Sequence, residues 1–123
     1  MEKIRKNVQV FIENDKHEIL CVSRKDNHTS FGLVGGGIED YDESPEAAAI
    51  REAFEETGYT VNNLKLIHEG MWRDGYQYTF TGDYEGEMNY DEPHVVKWGT
   101  AQDLIDGKFG EYNTMILNKL GKI

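Results

Sequence analysis

The chain is 123 residues long, with 23 acidic side chains against 13 basic ones and a formal net charge of −10. That length suits a single domain with a layered core, and the acidity argues against a stable grip on a nucleic-acid backbone, which needs clustered Lys and Arg. No apolar run reaches the roughly 20 residues of a membrane span, the start Met1-Glu2-Lys3-Ile4-Arg5 does not read as a signal peptide, and the lone Cys21 cannot form a disulfide within the chain. The expectation is a small soluble protein of a reducing, cytoplasmic compartment, a monomer or homodimer that meets neither membrane nor nucleic acid.

In chain order, residues 6–13 read as a strand, followed by a turn at Asn14-Asp15-Lys16. Residues 18–23 form a second strand, in which Cys21 sits inside the apolar run Ile19-Leu20-Cys21-Val22 as a buried thiol. A polar loop over 24–30 leads to a short strand over 31–34 and then to glycines. A helix follows, entered at Pro45 and free of internal Gly or Pro over 47–57. Residues 64–72 read as a strand, then a turn at Asp74-Gly75. Residues 76–83 alternate, with Tyr76, Tyr78 and Phe80 on one face and Gln77, Thr79 and Thr81 on the other. An acidic loop over 84–93 precedes a strand over 94–99, a short helix over 101–106 capped by Thr100, and a terminal helix over 112–120 that packs Met115, Ile116 and Leu120. Strands interleaved with helices predict an α/β protein, an α/β/α sandwich around a mixed β-sheet, with residues 1–123 as one domain.

The densest signal lies between Gly37 and Tyr59. Reduced to fixed positions it reads G-x5-E-x7-R-E-x-x-E-E-x-G, filled by Gly37, Glu43, Arg51, Glu52, Glu55, Glu56 and Gly58. Chance agreement is on the order of 10⁻⁵ for this chain's own Gly, Glu and Arg content. Ser44 is a good N-cap, Pro45 suits the first helical position, Glu46 suits the first turn, and Gly58 is the expected stop. Helical spacing puts Ala47, Ile50 and Phe54 on one stripe, expected to pack, and Glu52, Glu55 and Glu56 on the opposite stripe at i, i+3 and i+4. Three carboxylates so close repel one another. A divalent cation turns that repulsion into ligation, and hard oxygen ligands suit Mg²⁺ or Mn²⁺. Arg51, four residues before Glu55, is placed to pair with it.

This segment resembles the Nudix box, in which the same seven positions are fixed. The two positions usually held by bulky aliphatic residues are Ala53 and Tyr59 here, mild departures at packing positions. The approach Phe31-Gly32-Leu33-Val34-Gly35-Gly36-Gly37 is similar to the family's glycine-rich entry, without a Pro before the glycines. Counting back from Glu43 makes Gly37 the box glycine, in a loop with room for one extra residue. The resemblance implies a Nudix-type sandwich and a Mg²⁺-dependent pyrophosphohydrolase, with Mn²⁺ able to substitute. Such enzymes cleave the diphosphate linkage of a nucleoside diphosphate joined to another group. It implies that Glu52, Glu55 and Glu56 hold the metal with the backbone carbonyl of Gly36. Glu43 would support the metal or its water at the edge of the site, and Arg51 would orient the glutamates.

Other assignments rest on the resemblance with less support from spacing. Arg24, at the end of the second strand, is a candidate phosphate ligand. The general base is a box glutamate or an acidic residue of the downstream loop, where Glu85, Glu87, Asp91 and Glu92 stand; Glu87 and Glu92 are favoured. Trp72, Tyr76, Tyr78 and Trp98 could stack on a base, although most are expected in the core. His17, His28, His68 and His94 lack metal-ligand spacing. Signatures of NADH pyrophosphatases and ADP-ribose hydrolases are absent, and Tyr76 matches loosely a tyrosine associated with dinucleoside polyphosphate hydrolases. The short, undecorated chain is similar to mutator-type members. Nucleoside triphosphates, oxidised ones included, are the first expectation and dinucleoside polyphosphates the second. A non-catalytic nucleotide-binding Nudix domain is the alternative of another class, disfavoured because every box glutamate is kept.

Overall fold

The computed structural model describes residues 3–91 and 93–123. Its elements are β1 (Arg5–Phe11), β2 (Ile19–Ser23), β3 (Phe31–Gly37), α1 (Pro45–Thr57), β4 (Thr60–Trp72), β5 (Gly75–Glu85), β6 (Val96–Gly99), α2 (Ala101–Ile105) and α3 (Gly110–Lys119). The strands are hydrogen-bonded in the order β4-β5-β1-β3-β2-β6, and the sheet is mixed, because β1 and β5 are parallel while the other pairs are antiparallel. The chain divides into two compact units, one of Met1–Ile12 and Val34–Tyr90, the other of Glu13–Leu33 and Asp91–Ile123. Among the described residues no helix is long and apolar enough to cross a membrane.

In the first unit, Val8 faces Gly36 and Tyr78 in register, and Val10 faces Val34 and Phe80. Val8, Val10, Val34, Val61 and Phe80 are buried, together with Ala48, Ala49 and Ala53 of α1, which packs on β1 and β4. The glycines do not end β3. They continue it, with Gly35 opposite Gln9 and Gly37 opposite Asn7. A Cβ on Gly35 would strike the backbone oxygen of Val8, so the strands can approach only without one. Gln77 and Thr79 on the polar face of β5 are buried: Thr79 Oγ1 donates to Gln9 Oε1 (2.9 Å), and Gln9 Nε2 donates to Gln77 Oε1 (2.6 Å), which meets the hydrogen-bond demand of that burial. Trp72, Tyr76, Tyr78 and Trp98 are half-buried and none belongs to the fully covered core, contrary to the expectation for most of them. Tyr76 and Tyr78 instead lean on each other with ring centroids 5.1 Å apart.

In the second unit, every residue of β2 is buried, including Cys21. Burial, reinforced by nearby Asp103, pushes its thiol up to about 12, so it stays protonated and unreactive at neutral pH. Thr100 and Asp103 form a reciprocal capping box on α2, as expected for Thr100. The terminal helix buries Tyr112, Asn113, Ile116 and Leu117. Met115 and Leu120 are only partly covered, because they flank the stripe of Tyr112, Asn113, Ile116 and Leu117 that faces inward. His94 is buried, and the His17 side chain is largely exposed near Glu13.

Candidate active site

Helix α1 begins and ends as its sequence demands. The Ser44 hydroxyl accepts the Ala47 N–H (3.0 Å), Pro45 occupies the first turn, and Gly58 closes the helix in the left-handed region (φ 85°) with its N–H on the Phe54 carbonyl. Thr57 adds a lock: its hydroxyl donates to the Ala53 carbonyl (2.6 Å) and accepts the Tyr59 N–H (3.1 Å). The packing stripe is not the one the spacing suggests. Ala48, Ala49, Ala53 and Thr57 are buried, whereas Ile50 and Phe54 are 41% and 58% exposed. The helix is rolled so that its alanines sit against the sheet and two of its glutamates are half-buried beside them. Alanine allows an approach that Ile and Phe would prevent, and the roll carries Glu52 onto β3.

Glycine at 36 makes that contact possible. A Cβ there would lie 2.5 Å from Glu52 Oε2. Glu56 reaches the same strand, its Oε1 accepting the Gly35 N–H at 2.9 Å. Glu55 is more open, with half of its side chain exposed. Burial pushes the Glu52 carboxyl above its ordinary range, and Arg51 pulls it back.

Arg51 organises the cluster. Its Nη1 donates to Glu52 Oε1 (3.0 Å) and Glu55 Oε1 (3.1 Å). Its Nε and Nη2 donate to the two oxygens of Asp42 (2.9 and 2.8 Å), and Nη2 also reaches the Gly37 carbonyl (3.1 Å). All five N–H donors of the guanidinium are therefore used. Tyr41 covers the group, its ring centroid 5.3 Å from Cζ. Asp42, followed by Glu55 and Glu52, raises the pKa of Arg51 further still, and Arg51 in turn holds the Asp42 carboxyl below its usual range.

Among the described residues, no three carboxylates, imidazoles or thiols are gathered closely enough to grip a metal ion. The directions of the bonds account for this: Glu52 and Glu55 turn onto Arg51, and Glu56 turns onto β3. The donor set nevertheless fits a hard divalent cation. Two carboxylates already converge on one cationic atom, Nη1, and Gly36 leaves the space that Glu52 occupies.

The family model described as the NUDIX domain matches residues 3–116. The chain belongs to the Nudix family. The NAD-capped RNA hydrolase NudC of Haemophilus influenzae is 32% identical over 90 residues, covering 67% of this chain and 34% of that protein. An RNA pyrophosphohydrolase of Vibrio cholerae is 40% identical over 63 residues, covering 51% of this chain and 36% of that protein. The chain thus spans about a third of the length of these curated relatives. A solved MutT structure, from work on Aliivibrio salmonicida and Vibrio cholerae, matches with TM-score 0.79 at 24% identity over 98% of this chain and all of that one. A UDP-X diphosphatase structure matches with TM-score 0.75 at 18% identity, over 99% of this chain and 63% of that one. These likenesses establish the Nudix fold.

The remaining candidates of the Nudix reading lie on several segments of the chain. Glu43, the fixed acid before the helix, is exposed, and the arginine is held by its neighbour Asp42, whose side chain is only 4% exposed. Arg24 lies in the second unit, its Nε and Nη2 on the two oxygens of Asp26 (2.8 and 2.9 Å). Glu92 lies outside the described residues. Glu85 ends β5, and Glu87 and Asp91 are exposed. Asp42, Tyr41 and the Gly37 carbonyl were not foreseen. Four acids stand between Gly37 and Ser44, and spacing does not single out the one that folds back on Arg51.

Proposed function

We propose that residues 1–123 act as one Nudix pyrophosphohydrolase domain that cuts the diphosphate linkage of a nucleoside diphosphate derivative, with nucleoside triphosphates, oxidised ones included, as the substrate class. The convergence of Glu52 and Glu55 on Arg51 against the bare Gly36 carries this reading. It is a cluster of anionic oxygen on a helix, seated against a strand that has no side chain at that point.

Glu52, Glu55 and Glu56, with the Gly36 carbonyl, would hold Mg²⁺, or Mn²⁺ in its place. When bound, the metal lowers the pKa of a coordinated water and neutralises diphosphate charge. The chain's own residues do the rest. Arg51 fixes the rotamers of Glu52 and Glu55 so that they do not have to be ordered at the moment of reaction. Glu43 stands at the edge of the site to support the metal or its water. A box glutamate or Glu92 removes the proton from the attacking water, and Arg24 binds substrate phosphate. Phosphoryl transfer of this kind asks for positioning and electrostatics and needs no covalent nucleophile, in keeping with a cysteine that is buried and protonated.

A second reading is favoured by the relatives' names, an NAD-capped RNA hydrolase and an RNA pyrophosphohydrolase: an RNA substrate carrying a pyrophosphate linkage. The net charge of −10 counts against prolonged contact with an RNA backbone. A panel of canonical and oxidised nucleoside triphosphates, dinucleoside polyphosphates, ADP-ribose, NADH, nucleotide sugars and 5′-triphosphorylated or NAD-capped RNA, assayed with Mg²⁺ and with products resolved, separates these. Pyrophosphate plus a nucleoside monophosphate supports the triphosphate reading, and preferential cleavage of RNA ends or of dinucleoside polyphosphates replaces it. Glu55→Gln should lower kcat at least about 100-fold, because losing a ligand should exceed the 10–100-fold typical of outer-sphere partners, while the fold survives. Undiminished turnover in that variant would remove the catalytic assignment.

A further inference from the structure

We infer that Asp42 is the positioning residue of this site: it sets the orientation of Arg51 and, through it, of Glu52 and Glu55. The inference rests on the reading of α1 as a metal-binding helix and adds a residue to it.

Of the four acids between Gly37 and Ser44, namely Glu39, Asp40, Asp42 and Glu43, only Asp42 is not exposed. Its carboxylate receives three N–H groups: Nε and Nη2 of Arg51, and the backbone N–H of Glu39 at 2.8 Å. Its own N–H returns to the Glu39 carbonyl at 3.0 Å, closing residues 39–42 into a turn. The carboxylate is therefore fixed before it meets the arginine. The guanidinium is planar, so holding its Nε–Nη2 edge decides where Nη1 points. Nη1 is the atom on which Glu52 and Glu55 converge. The second N–H of Nη2 goes to the Gly37 carbonyl, tying the same plane to the end of β3.

Charge gives a second argument. A divalent cation held by Glu52 and Glu55 would sit close to a guanidinium that uses the same two carboxylates. An unbalanced Arg51 would be repelled and would swing away, taking the rotamers with it. The Asp42 carboxylate neutralises Arg51 on its far side and lets it stay.

Mn²⁺ binding to the nucleotide-free protein, followed by electron paramagnetic resonance, tests this in wild type, D42N, D42E, D40N, R51Q and the D42N/R51Q double variant. D42N should weaken Mn²⁺ binding about 10–100-fold. D42E, which keeps the charge on a longer arm, should lose less. D40N, which removes an exposed acid of the same turn paired with Lys3, should stay within about twofold of wild type. In the R51Q background D42N should add less than about twofold, because the residue it acts through is gone. The ¹⁵N resonance of the Arg51 Nε–H in metal-free protein gives a readout independent of the metal: slowly exchanging in wild type, and lost in D42N while the backbone amide spectrum is kept. Additive losses in the double variant, or an Arg51 resonance unchanged in D42N, would overturn the inference. Absence of Mn²⁺ binding in wild type would overturn the metal reading, and the Arg51 resonance would then decide the role of Asp42 alone.

Discussion

Arg51 in the first unit and Arg24 in the second make the same contact. Each lays Nε and Nη2 along the two oxygens of an aspartate at 2.8–2.9 Å. Their surroundings differ. Asp26 is two residues from Arg24 and largely exposed, so the pair needs no tertiary structure and solvent screens it. Asp42 is nine residues from Arg51 and covered, and the other end of the guanidinium is committed to two glutamates. One pair decorates a loop and leaves Nη1 of Arg24 without a hydrogen bond among the described residues. The other is the middle of a chain running from the Glu39–Asp42 turn to the carboxylates of α1. An arginine–aspartate contact shows its purpose in what the rest of the guanidinium does.

Arg51→Lys is the sharpest break of that contrast. Lysine cannot hold Asp42 with two atoms and reach both glutamates. Activity should fall about 10–100-fold, and urea denaturation should register a loss of about 1–3 kcal/mol, the cost of leaving half-buried carboxylates without their partner. Arg24→Lys should leave stability close to that of wild type, because solvent screens the exposed pair. Equal stability losses would mean that the two pairs are equivalent after all.

Gly36→Ala should act on the same chain from the strand side. Its methyl would meet the end of the Glu52 side chain and not backbone, so the fold has room to yield. The expected result is a loss of activity on the order of tenfold, through a displaced glutamate, with a melting temperature close to that of wild type. A methyl on Gly35 would meet the Val8 carbonyl instead, and there the sheet itself has to move. Adjacent glycines thus belong to different problems, the seating of Glu52 at 36 and strand pairing at 35.

That division explains how much could be read from the sequence. The caps of α1, the burial of β2 and the identity of the carboxylate helix were legible, because each depends on neighbours in the chain. The roll of α1 was not. Ile50 and Phe54 are the bulkiest apolar residues of the helix, and hydrophobicity alone sends them inward. The demand that Glu52 reach β3 sends them outward and leaves alanines to pack. Asp42 was hidden for a related reason. Spacing favours Glu43 as the fixed acid, but a loop with four acids can offer any of them, and only the turn closed by Glu39 selects one.

Acid should separate the two pairs more gently. Both aspartates are held below their ordinary range, in each case first by the arginine hydrogen bond. A carboxyl whose folded value is depressed stabilises the fold above its unfolded value, near 3.9 for Asp, and loses that contribution as pH falls through the folded value. The stability gap between wild type and D42N, from urea melts, should therefore be full at pH 6 and shrink below about pH 4. Glu52 shifts the other way, upward through burial, so the difference between the two proteins isolates Asp42 better than wild type alone. The same experiment with D26N should show a gap near zero at every pH, because solvent screens the exposed pair.

Arg24→Ala carries the smallest expected effect and tests the proposed role of that residue directly. The Asp26 pair should contribute little, so stability should stay close to that of wild type. If Nη1 receives a substrate phosphate, KM for the nucleotide should rise a few-fold and the rise should shrink at higher salt, with kcat nearly unchanged, since a contact made equally in ground and transition states affects binding alone. A drop in kcat at constant KM would instead mean that Arg24 acts only in the transition state. Identical kinetics in the variant would return it to what Asp26 alone makes of it, a paired charge on an exposed loop.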